Sequence, residues 1–250
     1  MKIISRLLGL ILIGIITLTS QADAQFFLSK NKIKLTGFRA SLGGSSDVYG
    51  NLSGEGLFSM LKPNQGANFD INQYREVDYG YAAEMVGGSL GFDLTFSPTN
   101  SDGTLRTNRE LRLGVNVNIE REILIDMAPL SQTGDWLGLC VIENNFNLNV
   151  AYLFKAKLGP LEVYTGPGAN VGGTFGNDFI FMGSGDNTFY QAYGSNYVRA
   201  YGLAGFGLNI WRVQFQAEGT YGVGSQVVYN GDVNLLRTYG LQLSVGYKLR

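Results

Sequence analysis

The sequence predicts an all-β fold, an antiparallel up-and-down transmembrane β-barrel of about eight strands after a cleaved signal peptide. Three observations predict it. Apolar and polar residues alternate in segment after segment, and the connections between segments alternate between short and long. After the N-terminal leader, no apolar run approaches the length of a membrane helix.

The leader comes first. Met1-Lys2-Ile3-Ile4-Ser5-Arg6 is followed by an apolar run over residues 7–16 and then by Ala22-Asp23-Ala24. A basic start, a short apolar core and an Ala-x-Ala site predict a signal peptide over residues 1–24, cut before Gln25. A retained anchor needs about 20 apolar residues, and here Thr17, Thr19 and Ser20 interrupt the run. No cysteine follows it to carry a lipid. The single Cys140 has no intrachain disulfide partner and reads as a small apolar wall residue.

Residues 25–250 read as one barrel domain. Its 35 Gly, 15 Phe and 14 Tyr against 5 Pro favour strands and tight turns. The formal net charge is −1, and losing Lys2, Arg6 and Asp23 leaves it near neutral. Nothing in that balance draws the chain to nucleic acid.

Eight segments carry the alternation: residues 33–44, 84–97, 109–127, 139–157, 161–173, 196–210, 212–224 and 237–249. The first is glycine-rich. The second phases Leu90, Phe92, Leu94 and Phe96. The third is clearest, with Leu111, Leu113, Val115, Val117 and Ile119 interleaved by Glu110, Arg112, Gly114, Asn116, Asn118 and Glu120, so that one face is apolar and the other polar. The fourth phases Phe146, Leu148, Val150, Tyr152 and Phe154; the fifth and sixth are again glycine-rich; the seventh has Val213, Phe215 and Ala217. The eighth sets Tyr239, Leu241, Leu243, Val245, Tyr247 and Leu249 against Gly240, Gln242, Ser244, Gly246 and Lys248.

Alternation alone also suits a sandwich with one wet face, so the connections decide. Lys157-Leu158-Gly159-Pro160 and Ile210-Trp211-Arg212 are tight turns, and residues 97–103 are dense in turn formers. Residues 45–83 and 174–195 are long connections. Short turns at one end and long loops at the other are the habit of outer-membrane barrels, with turns periplasmic, loops extracellular and, for an even strand count, both termini periplasmic.

A spanning strand needs about 9 to 11 residues, and Leu111 to Ile119 supplies them before Arg121 falls on the lipid-facing phase. Arg121 is therefore expected at the outer rim. Apolar alternation resumes at Ile123, Ile125 and Met127, while Leu137, Leu139 and Val141 change phase near Asn144-Asn145. A bulge there and a hairpin rising above the membrane, its tip within residues 128–136, account for both. Trp136, Trp211 and Tyr247 are expected at the bilayer interfaces.

The inward phase is expected to carry a polar network of Asp93, Glu110, Arg112, Glu120, Lys155, Glu162, Arg199, Glu218 and Lys248, with Asn116, Asn118, Asn147, Asn149, Gln214, Gln216 and Gln242. Side chains just fill an eight-stranded barrel. Near-balanced charges then predict a plug, with an ion or solute pathway as the alternative.

At this point the mature chain resembles the small eight-stranded outer-membrane barrels, the class of the OmpA membrane domain, OmpX and OmpW. The resemblance covers residues 25–250 and rests on pattern; its best local element is Tyr239-Gly240-Leu241-Gln242-Leu243-Ser244-Val245-Gly246-Tyr247-Lys248-Leu249-Arg250. It implies an outer-membrane location, contact with outer-membrane lipid and recognition of this closing strand by the barrel-assembly machinery. In that class the strand usually ends in an aromatic residue, and here Arg250 stands last.

There is no histidine, which removes the usual general base for serine or cysteine nucleophiles. A carboxylate pair could still serve hydrolysis, but Glu143 and Asp178 read as solvated loop charges. Asp178 and Asp186 lack regular calcium-ligand spacing. Gly166-Pro167-Gly168 and Gly183-Ser184-Gly185 read as bends and turns, because no strand, glycine loop and helix surround them. No cofactor or metal is expected. Phe175, Phe179, Phe181, Phe189, Tyr190 and Tyr193 in the fifth connection either form a binding surface or pack across the barrel mouth.

The reading reached is a non-enzymatic barrel that presents loops for adhesion, envelope integrity or binding of an extracellular protein or surface ligand, with an exposed hairpin edge open to β-augmentation. The alternatives are transport of small or hydrophobic solutes and an accessory role in a secretion or motility machine.

Overall fold

The computed structural model describes residues 33–63, 70–79, 83–131, 133–183, 188–231 and 233–248. The signal peptide, the cleavage site and Asp186 lie outside the described residues, as do the side chains of Tyr247 and Lys248.

Eight long strands hydrogen-bond into a closed antiparallel ring: β1 (Ile33–Tyr49), β3 (Ala83–Pro98), β4 (Arg109–Pro129), β5 (Leu137–Leu158), β6 (Leu161–Met182), β8 (Ser195–Ile210), β9 (Val213–Val228) and β10 (Asn234–Lys248). Each pairs with the next, and β10 returns to β1 from Arg39↔Lys248 to Tyr49↔Arg237. Closure leaves the ring no bare edge, which is the condition for a sheet in hydrocarbon. At that seam a Cβ on Gly43 would lie 1.8 Å from the Leu243 carbonyl oxygen, so only glycine fits there.

Two-residue turns join β5 to β6 and β8 to β9, and a hairpin over residues 99–108 joins β3 to β4. In that hairpin the Thr104 hydroxyl and amide donate to Asp102 at 2.7 and 2.9 Å, holding its carboxyl below the usual carboxylate range. This turn end also holds Ile33 and Lys248. The opposite, loop end carries a short helix α1 (Gly54–Phe58), a 3-10 turn (Ile71–Gln73) and two short strands, β2 (Tyr74–Glu76) and β7 (Thr188–Gln191).

Strands run longer at the loop end than the sequence suggests. β1 continues to Tyr49, and β6 continues to Met182, so Phe175, Phe179 and Phe181 sit in a strand and not in a loop. The hairpin tip falls between Pro129 and Leu137, as the pattern predicts. Its flanking edges are already paired, β4 with β2 and β5 with β6, whose far edge in turn carries β7. The open edge expected for β-augmentation is therefore reduced to these short cover strands.

The phase change near Asn144 has a different origin from the one expected. β5 is regular through this region, and the extra residues are in its neighbours. Asn118 to Arg121 of β4 spans Asn145 to Glu143 of β5, and Phe175 to Asp178 of β6 spans Asn144 to Ile142. Glu120 at φ 50° and Gly176 at φ 62° take up the bulges. Asn144 serves both: its Oδ1 accepts from the Glu120 amide at 3.0 Å and its Nδ2 donates to the Gly176 carbonyl at 3.4 Å.

The β4 bulge corrects two expectations. Because one inserted residue exchanges the faces of a strand, Arg121 turns fully inward and is buried, whereas Glu120 is exposed on the outside and lies outside the lumen network. Below the bulges the outer surface is an apolar belt that includes Leu42, Leu90, Leu113, Val115, Phe146, Leu148, Phe206, Phe215, Leu241 and Leu243, all exposed. Above them Glu120 and Glu122 mark its upper limit. No helix among the described residues is long and apolar enough to cross a membrane.

Replacing Asn144 with Ala removes both clamp bonds. The unfolding midpoint in urea and detergent micelles is expected to fall by the equivalent of about 1–2 kcal/mol. Asn144→Asp, which keeps the acceptor for Glu120, loses less.

Candidate functional site in the lumen and its cap

The inward residues form two ionic layers and an apolar cap. Nearest the turns, Arg112 of β4 reaches across the full diameter to Glu218 of β9, Nη1 to Oε1 at 2.6 Å. Glu218 also accepts from the Tyr164 hydroxyl at 2.7 Å, and the Arg112 guanidinium lies over the Tyr164 ring. Lys155 bridges Glu110 at 2.7 Å and Glu162 at 2.9 Å, and Arg39 pairs with Asp93.

The second layer lies at the level of the bulges. Arg121 pairs with Asp47 and, at 3.1 Å, with Glu143, while Arg199 reaches Asp47 at 3.8 Å. Asn118, Asn145 and Asn147 extend it as an amide chain, with the Asn118 Nδ2 donating to Asn145 at 2.7 Å and the Asn147 Nδ2 donating to the same oxygen at 3.1 Å. The Tyr197 hydroxyl donates to Asn147. Each cation takes its charge out of water and meets a carboxylate, which offsets a desolvation cost of several kcal/mol per ion.

Between the layers is a polar cavity of about 100 Å³ lined by Asn116, Asn149, Asn170, Thr220 and Gln242 among others. Its volume and polar lining suit a few waters.

Above the second layer the interior becomes apolar. Tyr49, Leu57, Met60, Met85, Ile123, Ile125, Met127, Leu139, Val141, Phe179 and Leu235 form one buried cluster. Helix α1 is set by Ser53, whose side chain accepts from the Gly56 amide at 3.1 Å. It drops a fully buried Leu57 into the mouth. Loops lock over it: the Tyr193 amide donates to the Met60 carbonyl at 2.7 Å, the Lys62 amide to Gln191 at 3.0 Å, and Asn230 Nδ2 to the Ser59 carbonyl at 2.7 Å.

Of the residues expected in the lumen, Asp93, Glu110, Arg112, Lys155, Glu162, Arg199 and Glu218 all face it and are buried or nearly so. Glu120 does not, having been turned outward by the bulge. Glu143, read from the sequence as a solvated loop charge, is fully buried against Arg121, because the face exchange in β4 delivers a cation to it. Sequence reasoning misses Arg39, Asp47 and Arg121 as lumen residues. Arg39 lies within the predicted first segment on the inward phase of β1, and Asp47 falls on the same phase once that strand is extended; Arg121 could not be found without the bulge.

The aromatics of the fifth connection divide. Phe179, Phe181, Tyr190 and Tyr193 pack into the cap, with Phe179 and Phe181 ring centroids 5.1 Å apart, whereas Phe175 and Phe189 are exposed. Trp211 is 93 % exposed on a two-residue turn, at φ 57°. Trp136 is exposed at the hairpin tip, about ten residues or roughly 30 Å of strand beyond Ile119. Among the described residues no cluster of potential ligands forms a metal site.

No family model matches the chain, and no curated protein matches it. Solved structures give weak overlaps. Neisserial surface protein A aligns at 8 % identity over 85 % of this chain and 96 % of its own, TM-score 0.35. A major outer membrane protein from Thermus thermophilus aligns at 11 % identity over 85 % and 99 %, TM-score 0.34. The outer membrane protease OmpT of Escherichia coli aligns at 11 % over 87 % and 98 %, TM-score 0.17. Overlaps this low carry no argument about residues or activity.

Two substitutions test the interior. Arg112→Met strands Glu218 and is expected to lose about 3–5 kcal/mol of stability, most of it regained in Arg112→Met/Glu218→Met, measured by urea unfolding in micelles. Leu57→Asp puts a carboxylate into the apolar cluster. Limited proteolysis should then cut within residues 50–82 while the heat-dependent gel mobility of the ring persists.

Proposed function

We propose that the chain is a non-enzymatic outer-membrane β-barrel whose plugged body holds a rigid, water-facing cap on the cell surface for partner binding or envelope integrity. The observation that carries it is the inversion along the strands: apolar outside and ionic inside below the bulges, and above them apolar inside with Glu84, Glu120, Glu122 and Asp178 outside among scattered apolar residues such as Leu124 and Leu236. Only a surface in hydrocarbon accounts for so continuous an exposed apolar belt, and only a surface in water suits the rest.

In this reading the turns are periplasmic and the cap extracellular. The interlocked loops favour a preformed docking face over a flexible adhesive loop. The cross-lumen Arg112 and Glu218 pair, the Arg121 layer and the cap stand in series, which supports a plug over a solute pathway. With no histidine in the chain and every lumen carboxylate engaged with a cation, hydrolytic chemistry has no candidate base.

The mature protein should leave cell envelopes only with detergent and shift in gel mobility on heating. In planar bilayers it is expected to give no stepwise conductance. Conductance steps that respond to Arg112→Gln would overturn the plug, and extraction without detergent would overturn the membrane location.

A further inference from the structure

The three connections at the turn end share a feature. Each pairs an exposed large apolar side chain with an adjacent cation: Leu105-Arg106, Lys157-Leu158 and Trp211-Arg212. Leu105 is 42 %, Leu158 63 % and Trp211 93 % exposed, so these tips are uncovered by the protein itself. Leu158 also continues the outward phase of Phe154, and Ile210 that of Leu208, so the tips extend the apolar belt without a break.

The balance of charge differs between the two ends of the long strands. Lys34 and Arg109 join the turn cations, and the exposed acid beside them is Asp102. Lys34, Arg106, Arg109 and Lys157 make no ion pair among the described residues. At the other rim the outward charges of the long strands include Glu84, Glu120, Glu122 and Asp178, while the cover segments there carry Arg75 and Lys62 beside Glu55, Glu76 and Asp78.

From this we infer that the turn end is a binding surface for anionic phospholipid headgroups, with Leu105, Leu158 and Trp211 seated at the headgroup boundary and the neighbouring cations on lipid phosphates. The inference rests on the membrane reading above and adds the lipid class and the residues that select it. An aqueous end would leave three bulky apolar tips in water. A neutral headgroup layer would offer no counter-charge to Lys34, Arg106, Arg109 and Lys157, whereas an anionic surface attracts each basic side chain near it. Trp211 is suited to the boundary because its ring takes both environments.

The chain has two tryptophans, so full-length Trp136→Phe protein reports from Trp211 alone. It is reconstituted in phosphatidylcholine vesicles containing equal mole fractions of either phosphatidylglycerol or phosphatidylcholine brominated near the headgroup. The brominated phosphatidylglycerol is expected to quench Trp211 about twofold more strongly, with the difference lost in 1 M salt and in Arg106→Gln/Lys157→Gln/Arg212→Gln. Equal quenching by the two lipids, or a preference unchanged in the triple variant, overturns the headgroup assignment and leaves the membrane reading standing. Quenching by neither lipid puts Trp211 in water and overturns the headgroup assignment, the membrane reading being decided separately by extraction.

Discussion

A single amide side chain sits where the structure changes character. Asn144 binds the bulges of β4 and β6 at once, through Glu120 and Gly176. Those two inserted residues decide which face of each strand meets water. Below them Arg112, Asn116 and Asn118 point inward and Leu113, Val115 and Ile119 outward; above them Ile123, Ile125 and Met127 point inward. β5 reaches the same result without a bulge, since its composition on one continuous inward face changes from Asn149, Asn147 and Asn145 to Val141 and Leu139. An environment inverts either because the backbone slips or because the side chains do, and this ring uses both in adjacent strands.

The small circumference explains the rest of the interior. In a ring of eight strands opposite walls are within reach of two long side chains, so Arg112 and Glu218 meet across the diameter, and Asp47 collects both Arg121 and Arg199 from different walls. A charge on such a wall has little water to turn to and must find a carboxylate or an aromatic face. The layers are therefore forced by geometry as much as by composition. The short cavity between them remains because Asn, Thr and Gln side chains are too short to cross it.

The strand count, the alternating turns and most lumen residues are legible in the sequence because period-two patterning records which face is buried, and Leu111 to Ile119 does so cleanly. The pattern also misleads. Ile123, Ile125 and Met127 keep the odd-numbered apolar phase of Leu111, so a reader of periodicity continues them on the lipid side and takes Arg121 for a rim residue. Hydrophobicity says that a side chain avoids water and not whether lipid or a protein core receives it. Glu143 escapes notice for the same reason, since its partner becomes visible only after the face exchange. The cap is hidden for another: Leu57 and Met60 lie in a connection with weak periodicity, and their burial depends on contacts with Phe179, Met127 and Leu235 far away in the chain.

The apolar cluster under α1 gives the molecule two hydrophobic regions that answer to different solvents. The belt is satisfied by hydrocarbon chains and contributes nothing to cohesion when those chains are replaced by detergent of equal polarity. The cap is driven together by water, as in any globular domain, and faces none of the lipid. A barrel of this design behaves as a membrane protein fused, without a linker, to a small water-soluble core on the same strands. The two halves differ in what dissolves them: a detergent gentle to one still leaves the other exposed to cold, urea and salt in the manner of an ordinary soluble fold.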